Sequence, residues 1–181
     1  MRAFITGGAG FIGSNLVDRL LDKGFEVTAF DNFTTGQKNF LKFAKLKKNF
    51  QLIKGDILDK ELLRSSMVGH NMIFHLSANA DVRFGLNSPT KDLEQNTIGT
   101  SNVLEAMRLN NIKKIAFSST GSVYGDIETI PTPENSSFPT QTSLYAASKL
   151  SGEALISSYC YGYDFKCWIF RFVSILGERY S

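Results

Sequence analysis

The chain has 181 residues, 43% hydrophobic and 20% charged, and its 20 basic and 17 acidic side chains leave a net charge of +3. That length suits one domain, since compact domains usually run to ~100–200 residues, and the apolar share excludes a disordered charged tail. So small a charge gives no nucleic-acid footprint, and no apolar run approaches the ~20 residues of a membrane span.

Residues 3–6 form a short apolar run that reads as a strand. A glycine-rich turn follows and opens a predicted helix over 11–23, whose Phe11, Ile12, Leu16, Val17, Leu20 and Leu21 share one face. A second strand at 27–30 ends against Asp31. A helix is predicted over 37–47, and the lysine-rich stretch Lys38, Lys42, Lys45, Lys47 and Lys48 has no acid among it. It reads as a solvated face, with a docking patch as the alternative. Strands at 50–53, 72–76, 115–118 and 167–172 then alternate with helices over 59–68, 92–110 and 144–161. Strands apolar throughout, alternating with helices, predict an α/β fold with a doubly wound parallel sheet of the Rossmann type.

Pro89, Pro131, Pro133 and Pro139 fall in two loops, after the fourth and fifth strands. The second, over roughly 119–142, exceeds the usual ~2–6 residue connection, and such loops are usually functional. Cys160 and Cys167 lack metal-ligand spacing and read as buried free thiols of a reducing cytosol, and His70 and His75 form no metal pair. The N-terminus has no signal-peptide pattern, so the expected location is cytoplasmic.

Three features carry chemistry. Gly7, Gly10 and Gly13 lie between strand and helix, where glycines permit a tight turn, backbone approach to a pyrophosphate and close helix packing. Asp31 stands 18 residues after Gly13, at the end of the second strand. A carboxylate there hydrogen-bonds both ribose hydroxyls of an adenosine and repels a 2′-phosphate, which favours NAD over NADP. Asp56 either meets the adenine edge or serves a turn. Tyr145 and Lys149, one helical turn apart, share a face, and a positive charge beside a phenol favours the phenolate that a base requires. Ser118, Ser119 and Thr120 end the fifth strand at the same edge, where a hydroxyl either holds the reacting oxygen or caps the strand.

TGGAGFIGSNL, DNFTTG, GDI at 55–57, HLSANADVRFG at 75–85, Asn96, SSTGSVYG at 118–125 and YAASK together resemble the extended short-chain dehydrogenase/reductases. The likeness runs the length of the chain and is to the NAD-dependent nucleotide-sugar epimerases and dehydratases of the UDP-glucose 4-epimerase type. The resemblance implies Tyr145 as base, Lys149 as the partner that lowers its pKa and Thr120 as the third catalytic hydroxyl. It implies NAD contacts at Gly7, Gly10, Phe11, Ile12, Gly13, Asp31, Asn32, Asp56, Ile57, Leu76, Ala78 and Asn96, with Ser118, Tyr145 and Lys149 at the reacting end.

Within that family the 4,6-dehydratases carry Asp-Glu directly after the threonine, and the UDP-glucuronate decarboxylases a glutamate two residues after it. Gly121 and Ser122 stand here, so the resemblance favours an epimerase. Tyr145 would take the C4 hydroxyl proton and NAD the hydride, and the 4-keto sugar would turn over before the hydride returns. Ser122 and Ser174 fall at substrate positions, Ser174 where relatives usually have asparagine in an R-x-x-N segment. Family members continue with a C-terminal substrate domain that this sequence, read as one NAD-binding domain over 1–181, does not contain. The expected partners are a nucleotide-sugar and a second copy paired through helices 92–110 and 144–161, with neither nucleic acid nor membrane. Leu93, Val103, Leu104, Met107, Leu150, Leu155 and Ile156 serve either that interface or the sheet. A non-catalytic NAD-binding module and another sugar oxidoreductase or dehydratase of the same fold are the alternative readings.

Overall fold

The computed structural model describes residues 1–79, 87–138 and 140–180. Its strands are β1 (Arg2–Thr6), β2 (Glu26–Asp31), β3 (Phe50–Lys54), β4 (Met72–His75), β5 (Lys114–Thr120) and β6 (Lys166–Phe172). All pair in parallel, in the order β3-β2-β1-β4-β5-β6. This is the predicted doubly wound Rossmann sheet. The strand order reverses between β1 and β4, and a ligand crevice opens at the carboxyl end of such a reversal.

The helices are α1 (Phe11–Asp22), α2 (Lys60–Ser66), α3 and α4 (Leu144–Tyr163). Helix α3 runs as an α-helical turn at Pro89–Asp92, a π-helical stretch at Leu93–Ile98 and an α-helix at Gly99–Leu109. Alternation along β1 shows why both faces of the sheet need cover. Phe4 enters a core with Leu63, Met67, Leu104, Met107 and Ile156, while Ala3 and Ile5 enter another with Val17, Leu20 and Leu21 of α1. At the edges β3 and β6 are only partly buried.

Several expectations change. Residues 37–47 form two short 3₁₀ turns, Lys38–Leu41 and Ala44–Leu46, in place of an α-helix. Their buried residues are Leu41 and Ala44, three apart, which is the 3₁₀ period, and neither turn has a side-chain cap. Pro89 opens α3 at its first position, where its missing N–H costs nothing, so that helix begins before residue 92. The loop after β5 begins with a 3₁₀ turn at Gly121–Tyr124 that buries Val123. Cys160 on α4 and Cys167 on the edge strand β6 are free thiols but only half-buried. Val103, Leu104, Met107 and Ile156 are fully buried against the sheet, and Leu93 is exposed. Residues 80–85 of the HLSANADVRFG motif and Pro139 lie outside the described residues.

The reversal point is tied together by a buried histidine. His75 Nδ1 lies 2.7 Å from Thr6 Oγ1 of β1, and its Nε2 lies 2.9 Å from Thr100 Oγ1 of α3. Thr6 Oγ1 also accepts the N–H groups of Leu76 and Ser77, each at 3.2 Å. Burial, and secondarily the charge of Lys149, pushes the His75 pKa down to about 3. His70, against Thr28 of β2, is lowered in the same direction by burial.

His75 is therefore neutral in the fold at any pH above about 3, whereas the unfolded chain binds its proton from about 6.5 downward. Its contribution is complete above pH 6.5 and declines as pH falls through that window. Urea unfolding at pH 5 and pH 7 should differ by about 2 kcal/mol on this basis, with the acid side less stable. A His75→Gln variant should show a flatter pH dependence; an unchanged slope would assign the effect elsewhere.

Candidate active site

The turn after β1 is built from close backbone approaches. Gly7 has φ +70°, and a Cβ there would lie 2.8 Å from the Ser77 nitrogen and 2.9 Å from the Leu76 carbonyl carbon. A Cβ on Gly13 would collide with the Gly7 carbonyl oxygen. Gly10 is the N-cap of α1 and brings no capping side chain, and the first turn holds no acid. The leading N–H groups of α1 are thus offered to an anion. Phe11, Ile12 and Gly13 carry them into a cleft of about 290 Å³.

Asp31 closes one side of that cleft and is itself buried. Its Oδ2 accepts the Ala9 N–H at 2.9 Å and its Oδ1 the Phe33 N–H at 2.8 Å. Each oxygen keeps a further lone pair for a ligand. Asn32 lines the cleft beside it and donates to Asp56 Oδ2 at 2.9 Å, while Asp56 Oδ1 accepts the Leu58 N–H. Asp56 thus serves the turn and orients Asn32, and it does not line the cleft. Ile57, Leu76 and Ala78 do.

At the carboxyl end of β5 the polar residues divide their work. Ser118 Oγ donates to the His75 carbonyl at 3.3 Å, and the Ser118 carbonyl accepts from Lys149 Nζ at 2.8 Å. Ser119 donates to Glu153 Oε1 at 2.5 Å, and Glu153 is paired with Arg171 of β6, Nη2 to Oε2 at 2.8 Å. Thr120 caps the following turn, accepting the Ser122 N–H at 3.1 Å, and hydrogen-bonds the Tyr145 phenol. Ser143 caps α4 by accepting the Ala146 N–H, which fixes Tyr145 in the first turn. Tyr145, Thr120 and Lys149 therefore converge on one sheet edge. Ser122 and Ser174 are both exposed there, beyond β5 and β6.

The electrostatics of this group are set by burial. Lys149 is buried, its pKa pushed down to about 8, with its ammonium 4.8 Å from the Phe117 ring centroid. Tyr145 is pushed up by burial; the Thr120 hydrogen bond opposes that shift and the charge of Asp92 adds to it. A lowering of Tyr145 by Lys149 is thus absent from the balance among the described residues, where Lys149 is turned to the Ser118 carbonyl.

Asn96 is buried in the π-helical stretch of α3 and does not line the cleft. Its Oδ1 accepts the Asn79 N–H at 2.8 Å, and its Nδ2 donates to Ser148 Oγ at 2.9 Å. Sequence reasoning missed Thr34, Thr35, Gly55, Ser77, Asn79, Lys91 and Gln95 on the cleft wall. Thr34 and Thr35 could have been found by their nearness to Asp31, and Asn79 by its place in the motif after β4. Asp92 was also missed; its signal was a carboxylate one helical turn before Asn96. No group of three or more potential metal ligands occurs among the described residues.

The NAD dependent epimerase/dehydratase family model matches residues 3–181. The UDP-glucose 4-epimerase of Mycolicibacterium smegmatis is 36% identical over 184 residues, covering 99% of this chain and 58% of that protein. The UDP-glucose 4-epimerase of Thermus thermophilus, solved in complex with NAD, superposes with TM-score 0.86 at 35% identity, over 94% of this chain and 54% of that one. A dTDP-glucose 4,6-dehydratase from Streptomyces venezuelae, solved with NAD bound, superposes with TM-score 0.89 at 30% identity, over 94% and 55%. The chain spans about half the length of the relatives it matches. A glycine cradle at the β1–β4 reversal lies on the same edge as a Tyr/Thr/Lys group, and the chain belongs to the NAD dependent epimerase/dehydratase family.

Proposed function

We propose that this chain is the NAD-binding part of a nucleotide-sugar epimerase acting on UDP-glucose and UDP-galactose, with Tyr145 as the base. The observation that carries the reading is the convergence of Tyr145, Thr120 and Lys149 beside a cleft built on Gly7, Gly10 and Gly13. The residues present fit NAD. Free N–H groups at the start of α1 suit a pyrophosphate, and Asp31 keeps lone pairs for a ribose. Bound there, NAD would supply a hydride acceptor and donor and, when oxidised, a positive charge near the phenol.

The chain's own residues then do the following. The hydrogen bond between Thr120 and Tyr145 opposes the upward push of burial and so favours the phenolate. Lys149 gives one of its three N–H groups to the Ser118 carbonyl, leaving two for ribose hydroxyls. Tyr145 takes the proton of the sugar hydroxyl and returns it after the ring has turned; with the hydride taken up and given back by bound NAD, the sugar would undergo no net oxidation. Ser122 and Ser174 stand as substrate contacts in this reading.

What favours an epimerase over a dehydratase is local. After Thr120 come Gly121 and Ser122, and neither offers a carboxyl group to protonate a leaving hydroxyl.

In an assay of UDP-glucose conversion to UDP-galactose with NAD present, Tyr145→Phe should lower turnover by ~10²–10⁴-fold, the usual contribution of a general base. An unchanged rate removes Tyr145 from that role. In calorimetry, NADP should bind at least about tenfold more weakly than NAD, because a 2′-phosphate against Asp31 is a like-charge contact costing several kcal/mol. Equal affinities would mean that Asp31 does not face the ribose.

A further inference from the structure

Asp92 ends the first α-helical turn of α3 and is 1% exposed. A carboxylate so deeply buried is costly unless it is bonded, and here only half of it is. Its Oδ1 accepts from Asn79 Nδ2 at 2.8 Å and from Asn96 Nδ2 at 3.3 Å. Its Oδ2 has no hydrogen-bond partner among the described residues.

A carboxylate only accepts, so it dictates which way each amide faces. Asn96 must turn its NH₂ toward Asp92, where it also reaches Ser148 Oγ at 2.9 Å, leaving its Oδ1 for the Asn79 N–H. Ser148 in turn donates to the Tyr145 carbonyl at 2.7 Å. A continuous chain of bonds thus runs from Asp92 through Asn96 and Ser148 to the first turn of α4. It passes through the π-helical Leu93–Ile98, a distortion that brings Asn96 into line and is frequent at functional sites.

We propose that Asp92 is a positioning residue for Tyr145: it fixes the Asn79 and Asn96 amides and, through Ser148, the turn carrying the phenol, and holds an unpaired carboxylate oxygen buried behind the site. The consequence is that Tyr145 stays protonated until a positive charge arrives beside it. Among the described residues the groups acting on the phenol are Thr120 at the end of β5 and Asp92 on α3; Lys149, one turn further along α4, adds no shift. Thr120 favours the phenolate and Asp92 opposes it, while Lys149 is held by the Ser118 carbonyl. Burial works in the same direction as Asp92. The inference rests on Tyr145 being the base, but its test needs neither turnover nor NAD.

Tyrosine labelled at Cζ with carbon-13 reports phenol ionisation directly, and Tyr145→Phe assigns the resonance. In the NAD-free chain, Asp92→Asn should lower the Tyr145 midpoint, as expected for loss of a nearby like charge. Asp92→Glu keeps the charge and should leave the midpoint where it stands in the unaltered chain. Asp92→Ser removes the charge while retaining an acceptor, and serves as the second neutral variant if Asp92→Asn fails to fold. A purely structural carboxylate would not separate the neutral variants from Asp92→Glu. Equal midpoints in a folded neutral variant and the unaltered chain would overturn the proposal, whatever the NAD affinity or the epimerase assay gives.

Discussion

Three stretches of backbone meet at van der Waals distance where the strand order reverses, and the rest of the site is arranged around that contact. Gly7 sits in the left-handed region against Leu76 and Ser77, and Gly13 sits against Gly7 itself. A side chain at either position would push α1 away from β4 or the turn away from α1. The result of keeping them bare is a helix N-terminus without a capping side chain, aimed across the carboxyl edge of the sheet. Thr6 and His75 hold the two strands in register behind it, with Thr100 extending the link to α3.

Behind this cradle the fold buries opposite charges that no salt bridge joins among the described residues. Lys149 is held by a carbonyl and an aromatic ring, and Asp92 by two amides. Each is left with unused bonding capacity. A stability-driven core would have neutralised or paired such groups, since a partly satisfied buried charge destabilises. Their persistence on either side of Tyr145 fits a site whose electrostatic balance is completed by what binds there. The Glu153–Arg171 pair is the contrast: it is paired in full, ties β5 and β6 to α4, and steadies the edge on which Thr120 stands.

How much of this was legible in the sequence follows from how local each signal is. Gly7, Gly10 and Gly13 lie in one turn, Asp31 ends the neighbouring strand, and Tyr145 and Lys149 share a helix face, so spacing alone pointed to them. The parallel sheet was legible because its strands are apolar on both faces. The supports were not. Asn96 and Ser148 are 52 residues apart, and Thr6 and His75 are 69 apart, so only the folded chain reveals that they touch. Asp92 carried no local mark of being buried, because its burial depends on the packing of α3 against α4. The region 37–47 misled for a different reason: Phe40, Leu41, Phe43 and Ala44 are spaced as on a helix face, yet only Leu41 and Ala44 are buried, and these two pin 3₁₀ turns.

That bare backbone at the β1–β4 reversal makes the nucleotide site is tested most directly by calorimetry of NAD binding to a Gly13→Ala chain whose circular dichroism still reports a folded sheet. Binding should be lost, because the added methyl group displaces the Gly7 turn from the start of α1. Binding as tight as in the unaltered chain would contradict this origin of the site.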